Sequence, residues 1–330
     1  MAKLLSILLL IAAVIGGIYF ALNYEIQTQY ENGKAAYWRI VPKNALASDR
    51  GGFAPDLPPD QLRPTIRIAT LQLGHFDEAK LANRRVSDVL VHLFPRFELV
   101  AVQGIRGKNR GVLVRLIEQI NATSGRNYDF ATCPTQQRDG LEHFSAFVFD
   151  RQRIDVDRST VHFVEDPLSR LRIKPLAGSF RVRGPNPAEA FTFTLINVET
   201  DPDRTTAELD LLADVFRAVR DDGRGEDDII LLGDLQSDDQ HLGRLGKLLG
   251  VTALLSNMPT TTRGAHQLDN ILLDRRATAE FNGRVEVLDV MREFELTMPE
   301  ALEVSEHLPV WAEFSVYEGG QPGHPSQNAN

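Results

Sequence analysis

Carboxylates stand at the ends of several apolar runs in this 330-residue chain, and one histidine follows another carboxylate in a Pro-containing stretch. Asp234 lies in Leu231-Leu232-Gly233-Asp234-Leu235-Gln236, and Glu199 closes the run Leu195-Ile196-Asn197-Val198. Glu142 opens Glu142-His143-Phe144-Ser145-Ala146-Phe147, Asp269 sits in Gln267-Leu268-Asp269-Asn270-Ile271, and Glu306 and His307 occupy Val304-Ser305-Glu306-His307-Leu308-Pro309-Val310-Trp311. Oxygen donors of this kind suit hard divalent cations, and a neighbouring imidazole can move a proton or stabilise a phosphoryl oxygen. Together Glu142, Glu199, Asp234, Asp269 and Glu306 form an acidic set able to hold such a cation, with His307 left for the substrate. Each residue alone has a plainer reading: Gly233-Asp234 as a strand-ending turn, Glu142 and Glu199 as solvated strand ends, His307 as a loop residue. His75, His92, His143, His162, His241 and His266 show no metal-ligand spacing and read as surface or loop residues.

These groups need a scaffold. Ile66 to Leu71 alternates as a half-buried strand, Asp77 to Phe94 carries apolar residues at helical spacing, and Leu99 to Val102 reads as a buried strand. Phe144 to Phe149, Ala190 to Val198, Asp228 to Leu232, Asn270 to Leu273 and Val310 to Val316 are further strand candidates, and Thr205 to Arg220 is an amphipathic helix. This mixture predicts sheets covered by helices and not a simple doubly wound parallel sheet.

With 43% hydrophobic and 25% charged residues the chain can bury one sizeable α/β core. A net charge of -9 excludes a broadly basic surface and therefore strong sequence-independent attraction to nucleic acid through charge alone. Cys133 is the single cysteine, which rules out an intrachain disulfide and a thiolate metal cluster. Leu4 to Leu22 is apolar apart from Ser6 and Tyr19. As a helix it would run about 28 Å against a hydrocarbon core of about 30 Å. Bulky residues follow where a signal peptidase needs small ones, so an uncleaved anchor over residues 1–24 is expected. Lys3 precedes the span and Glu25 and Glu31 follow it, which predicts a cytoplasmic N-terminus and an outward, periplasmic or extracellular, domain. Residues 25–64 read as a tether, 65–317 as the folded domain and 318–330 as a disordered tail.

The order of the motifs resembles the endonuclease/exonuclease/phosphatase superfamily, of which deoxyribonuclease I is the best-known member. Ile68-Ala69-Thr70-Leu71-Gln72 resembles the opening strand that ends in Asn, and Leu99-Val100-Ala101-Val102-Gln103-Gly104 the strand that ends in Gln-Glu. The Glu142 stretch, the strand ending at Glu199 where the family has His, the Gly-Asp-x-Asn element at Asp234, the Asp-x-Ile element at Asp269 and the Ser-Asp-His motif at Glu306-His307 follow in the family's order. The resemblance spans Ile66 to Phe314. It implies a four-layer α/β sandwich of two mixed β-sheets flanked by helices, and divalent-metal phosphodiester hydrolysis.

Carried over residue by residue, the resemblance makes His307 the proton-transfer or phosphate-stabilising group, Asp269 its orienting carboxylate, Asp234 and Gln236 orienters of water and phosphate, and Glu142 the partner of a histidine now replaced by Glu199. The metal falls to Glu306 and Gln72, because the principal ligand position is Gly104. Arg172 and Arg106 are the phosphate-contact candidates. Gln72, Gln236 and Glu306 keep the family's functional group with one methylene added, whereas Gly104 offers no ligand and Glu199 sets an anion where phosphate should sit. Two such losses at about 3 kcal/mol each correspond to about four orders of magnitude in rate. The expectation is a membrane-anchored domain whose family-type hydrolysis is strongly impaired or lost, acting in binding or scaffolding with a protein partner the sequence does not name. The alternative is an active nuclease or phosphodiesterase that uses Mg²⁺ or another divalent cation at a rewired acidic site. Its substrate would be nucleic acid or a phospholipid head group.

Overall fold

The computed structural model describes the backbone of residues 24–31, 34–42, 64–107, 110–133, 136–138, 141–166 and 168–322, and the side chains of 64–107, 110–133, 143–166 and 168–322. The apolar span Leu4 to Leu22 lies outside these residues, and among them no helix is long and apolar enough to cross a membrane. Residues 1–54 and 55–330 make two units. In the first, β1 (Tyr24–Glu31) pairs antiparallel with β2 (Lys34–Pro42), so part of the segment read as a tether forms a hairpin. Tyr24, Ile26, Thr28 and Tyr30 alternate with the polar Glu25, Gln27, Gln29 and Glu31, a pattern that suits a strand.

The second unit runs β3 (Thr65–Phe76), α1 (Glu78–Ala82), α2 (Arg84–Leu93), β4 (Leu99–Arg106), α3 (Gly111–Ser124), β5 (Tyr128–Ala131), β6 (Gln136–Arg138), β7 (Leu141–Asp150), β8 (Ile154–Phe163) and β9 (Leu176–Val182). It continues with β10 (Thr192–Glu199), α4 (Thr205–Arg220), β11 (Ile229–Asp234), β12 (Val251–Ala253), β13 (Asp269–Asp274), β14 (Phe281–Val287), α5 (Val290–Glu293), α6 (Met298–Val304) and β15 (Val310–Ser315). The expected single helix over 77–94 divides at Asn83, whose extended backbone and side-chain oxygen cap α2 through Arg85 N. A short polar side chain that competes for backbone N–H groups favours such a break.

One sheet has the order β14-β15-β3-β4-β7-β5 with β6 on β7, and the other the order β12-β13-β11-β10-β9-β8. β3 pairs parallel with β4 and β10 with β11, while the other pairs are antiparallel. The inner faces bury Ile68, Phe147 and Phe149 against Phe180, Phe193 and Ile230. The Phe147 and Phe180 rings meet edge to face at 5.1 Å. α2 and α3 cover the outer face of the first sheet through Leu90 and Leu116, and α4 covers the second through Leu209, Leu212, Ala213 and Phe216. The result is the expected four-layer arrangement. Asn197 on β10 and Gln103 on β4 link the sheets: Gln103 Nε2 donates to Asn197 Oδ1 at 2.7 Å, and Asn197 Nδ2 donates to the carbonyls of Val102 and Ala146. Glu318, expected at the start of a disordered tail, is 7% exposed and accepts a hydrogen bond from Thr192 N at 3.2 Å.

Candidate active site

β3, β4, β10 and β11 all end on one side of the sandwich, and β13 begins there. The register sets Glu199 opposite Asp234 and Asp234 opposite Asp269, so three adjacent strands carry carboxylates at one level. The first sheet brings Gln72 beside Gln103, one residue before Gly104. A cleft of about 600 Å³ opens over these ends, lined by Gln72, Gly104, Glu199, Asp234, Gln236, Glu306 and His307 among others.

The best-ordered chemistry is at His307. Its Nδ1 lies 2.8 Å from Asp269 Oδ2, which also accepts from the Thr260 hydroxyl at 2.7 Å. Thr260 is fully buried and its oxygen accepts in turn from the N–H groups of Leu268 and Asp269. Ser305 holds the other side of the motif: its hydroxyl donates to the carbonyl of Gln72 and accepts from His307 N at 2.9 Å. Burial opposes a charged His307, yet the charge and hydrogen bond of Asp269, followed by the charges of Asp234 and Glu306, outweigh it and raise the imidazole to about 9. His307 is therefore a cation at neutral pH. Burial and then repulsion from Asp269 push Asp234 up to about 7, although His307 and Gln236 pull it down. Gln236, held at a φ of 49°, donates Nε2 to both oxygens of Asp234 at 3.0 and 2.8 Å.

The remaining candidates divide. Glu199 Oε2 accepts from Gly104 N at 3.1 Å, so a carboxylate from the second sheet reaches the end of β4. Glu306 is exposed at the rim. Glu142 sits on β7 opposite Gln137, and its side chain lies outside the described ones. Arg106 lines the cleft, whereas Arg172 is turned to Asp201, with Nη1 2.6 Å from Oδ2, and is not among the lining residues. His143, read as a surface or loop residue, is buried on β7 and lines the cleft; its place in an inward-facing strand position overrides the polarity of its type. His75 lines it from an exposed position. Lys80, not singled out by the sequence, donates Nζ to the carbonyls of Leu73 and Gly74 at 2.5 and 3.0 Å, and burial lowers its amine to about 8 against the pull of Asp77 and Glu306. Its position on α1, six residues after the bend at Gly74, is set by that bend and leaves no signal in the sequence.

No protein-family model matches the chain. Human deoxyribonuclease-1-like 2 is 25% identical over 275 residues, 74% of this chain and 90% of that protein. Pig deoxyribonuclease-1-like 1 is 26% identical over 261 residues, covering 76% of this chain and 81% of its own length. These relatives are deoxyribonuclease I-like proteins, and they support the resemblance of the chain to the endonuclease/exonuclease/phosphatase superfamily. Among solved structures, a zebrafish (D. rerio) TDP2 humanized by 14 mutations overlays with a TM-score of 0.54 at 12% identity, over 77% of this chain and all of that one. The human Nocturnin catalytic domain, solved with a bound sulfate, overlays at 0.50 and 15% identity, over 82% and 97% of the two chains.

Members of the superfamily are typically divalent-metal dependent. The donors at the family position do not fit such an ion. Gly104 has a φ of +72°, and a Cβ built there would fall 1.9 Å from Gln72 Oε1 and 2.7 Å from Gly74 N. The Gln72 amide oxygen thus fills the space a ligand side chain would enter, and it accepts from Gly74 N at 2.9 Å. Both oxygens of Asp234 are taken by Gln236, and Asp269 Oδ2 by Thr260 and His307. Asp269 Oδ1 is buried with no hydrogen-bond partner among the described residues, and Asp234, Asp269 and His307 hold possible ligand atoms within 4.8 Å of one another.

Proposed function

We propose that this superfamily domain binds phosphate esters in its cleft and has largely lost metal-dependent phosphodiester hydrolysis. The observation that supports this most is the Gln72 amide oxygen lying where the metal-binding carboxylate would grow from Gly104. Lys80, Arg106 and the His307 imidazolium line the same cleft. An ammonium, a guanidinium and an imidazolium are all donors to a phosphoryl oxygen. His307 held by Asp269 would donate to such an oxygen, and Lys80 and Arg106 would offset the remaining charge. A nucleic-acid strand or phospholipid head group is the ligand class. Leu4 to Leu22 anchors the domain as a single membrane span, with the N-terminus cytoplasmic and the domain outside.

One observation favours a second reading. Glu199 reaches Gly104 N at 3.1 Å, so a carboxylate from the other sheet stands near the vacated ligand position and, with Glu306, would make a rewired acidic metal site in an active nuclease. The two readings separate on the purified full chain, assayed with plasmid DNA, RNA and a bis-aryl phosphate in EDTA, Mg²⁺, Mn²⁺ or Ca²⁺. Binding that persists in EDTA, weakens at least tenfold in Lys80→Ala/Arg106→Ala and comes without turnover is expected. Metal-dependent turnover that disappears in His307→Ala sinks the binding reading and carries the second.

A further inference from the structure

Three more carboxylates converge far from the cleft. Asp228 precedes β11 at the end opposite Asp234, which the length of that strand sets about 20 Å away. Glu280 precedes β14, and Glu318 lies in the turn after β15. Asp228, Glu280 and Glu318 are 1%, 2% and 7% exposed. One oxygen from each lies within 4.8 Å of the others. Backbone N–H groups hold one oxygen of each of two carboxylates: Gly319 N donates to Glu280 Oε1 at 2.5 Å and Thr192 N to Glu318 Oε2 at 3.2 Å. Asp228 is fixed through its backbone, its N–H donating to Glu226 Oε1 at 3.0 Å and its carbonyl accepting from Thr194 N at 2.9 Å.

What remains faces other oxygens. Among the described residues no N–H or hydroxyl donates to Asp228 Oδ1 or Glu280 Oε2, and the two carboxyls face each other. One neutral oxygen stands beside the cluster. The Thr278 hydroxyl, on a residue 2% exposed, is turned to Asp228 but falls short of hydrogen-bond geometry among the described residues. No lysine or arginine pairs with Asp228, Glu280 or Glu318 among the described residues. Burying an uncompensated carboxylate is strongly unfavourable. Acceptor oxygens that face one another therefore share either protons or a cation.

We propose that Asp228, Glu280 and Glu318, with the Thr278 hydroxyl beside them, form a structural Ca²⁺ site. All donors are hard oxygens, and oxygens within 4.8 Å of one another are close enough for one Ca²⁺ to be shared between them. Ca²⁺ accepts an enclosed, irregular cage made by protein, whereas Mg²⁺ keeps several waters that a site this buried has little room for. The ion would tie the start of β11, in one sheet, to the start of β14 and the C-terminal turn, beside the other. This site is independent of the reading given to the cleft.

The test uses the full chain stripped with EGTA, then titrated calorimetrically with CaCl₂ or MgCl₂ and melted in each. One Ca²⁺ per chain should bind at Asp228, Glu280 and Glu318, raising the unfolding midpoint by about 5 °C at saturation. Asp234→Asn in the cleft should keep that response, and Glu280→Gln/Glu318→Gln should lose it. The double amide variant should also melt above the wild type in EGTA, because it removes the repulsion, so its lost response is not a failure to fold. The assignment is overturned by a wild type that gives no Ca²⁺ response, by an equal response in the amide variant, or by Mg²⁺ stabilising as well as Ca²⁺.

Discussion

Replacing Gly104 with alanine is expected to destabilise the domain by about 3 to 5 kcal/mol. Three contributions make up that figure. A non-glycine residue in the left-handed region costs about 1 kcal/mol, and the φ of Gly104 is +72°. The new methyl carbon would lie 1.9 Å from Gln72 Oε1 and must displace it, which breaks the hydrogen bond to Gly74 N. Such a bond contributes about 1 kcal/mol. The same carbon would sit 2.7 Å from Gly74 N, a backbone atom that cannot swing aside. Overpacking of that kind costs about 1 to 3 kcal/mol. Urea unfolding of wild type, Gly104→Ala, Gln72→Ala and the double variant measures the total and the coupling. The double variant should recover about 1 to 2 kcal/mol relative to additivity, since removing the Gln72 amide relieves the clash but neither the φ strain nor the contact with Gly74 N. A loss below about 1 kcal/mol in Gly104→Ala, or perfect additivity in the cycle, would refute the claim that Gln72 occupies the missing side chain's place. The same reasoning says that Gly104→Glu alone restores nothing, and that only together with the shorter Gln72→Asn can the glutamate enter.

The His307 pair predicts the sign of a pH effect. Its folded value is raised to about 9, so its stabilisation is complete below the ordinary histidine value near 6.5 and disappears as pH rises through 9. The difference corresponds to about 3 kcal/mol. Asp234, raised to about 7, acts in the same direction between its ordinary value and 7. Urea midpoints should therefore fall from pH 6.5 to pH 9.5, with a shallower slope in His307→Gln; an unchanged slope in that variant refutes the assignment. In the link between the sheets, Gln103→Leu removes the donor to Asn197 Oδ1 and Thr70 Oγ and leaves a buried acceptor unpaired. A loss of about 2 to 3 kcal/mol in chemical denaturation is expected, and a neutral result would show that the link is dispensable.

Much of the scaffold was legible because its strands announce themselves. Leu99 to Val102, Asp228 to Leu232 and Val310 to Val316 are short apolar runs bounded by polar residues, and Thr205 to Arg220 has one apolar stripe that coincides with α4. β8 and β9 were not read. Asp157, Arg158 and Ser159 interrupt the first, and Gly178 and Ser179 dilute the apolar character of the second. Within the site, Asp234, Asp269 and His307 were legible because short motifs fix them to strand ends. Lys80 was not, since its position depends on how β3 bends at Gly74 before α1 begins, which no periodicity encodes. The relation between Gln72 and Gly104 was half visible: each departure could be read from the residues, but their mutual fit comes from the parallel pairing of β3 and β4. Asp228, Glu280 and Glu318 are scattered over ninety residues, and the fold alone assembles them.

The amide pair Gln103 and Asn197 also has a mechanical meaning. The cleft is built half from one sheet, with Gln72 and Gly104, and half from the other, with Glu199, Asp234 and Asp269. A ladder of amide hydrogen bonds directly beneath its floor acts as a pin between those halves. Sliding one sheet over the other would break several buried hydrogen bonds at once, so the floor behaves as a single rigid plate. Any adjustment to a ligand then falls to what stands above the pin: the bend carrying His75, the Lys80 side chain and the rim at Glu306.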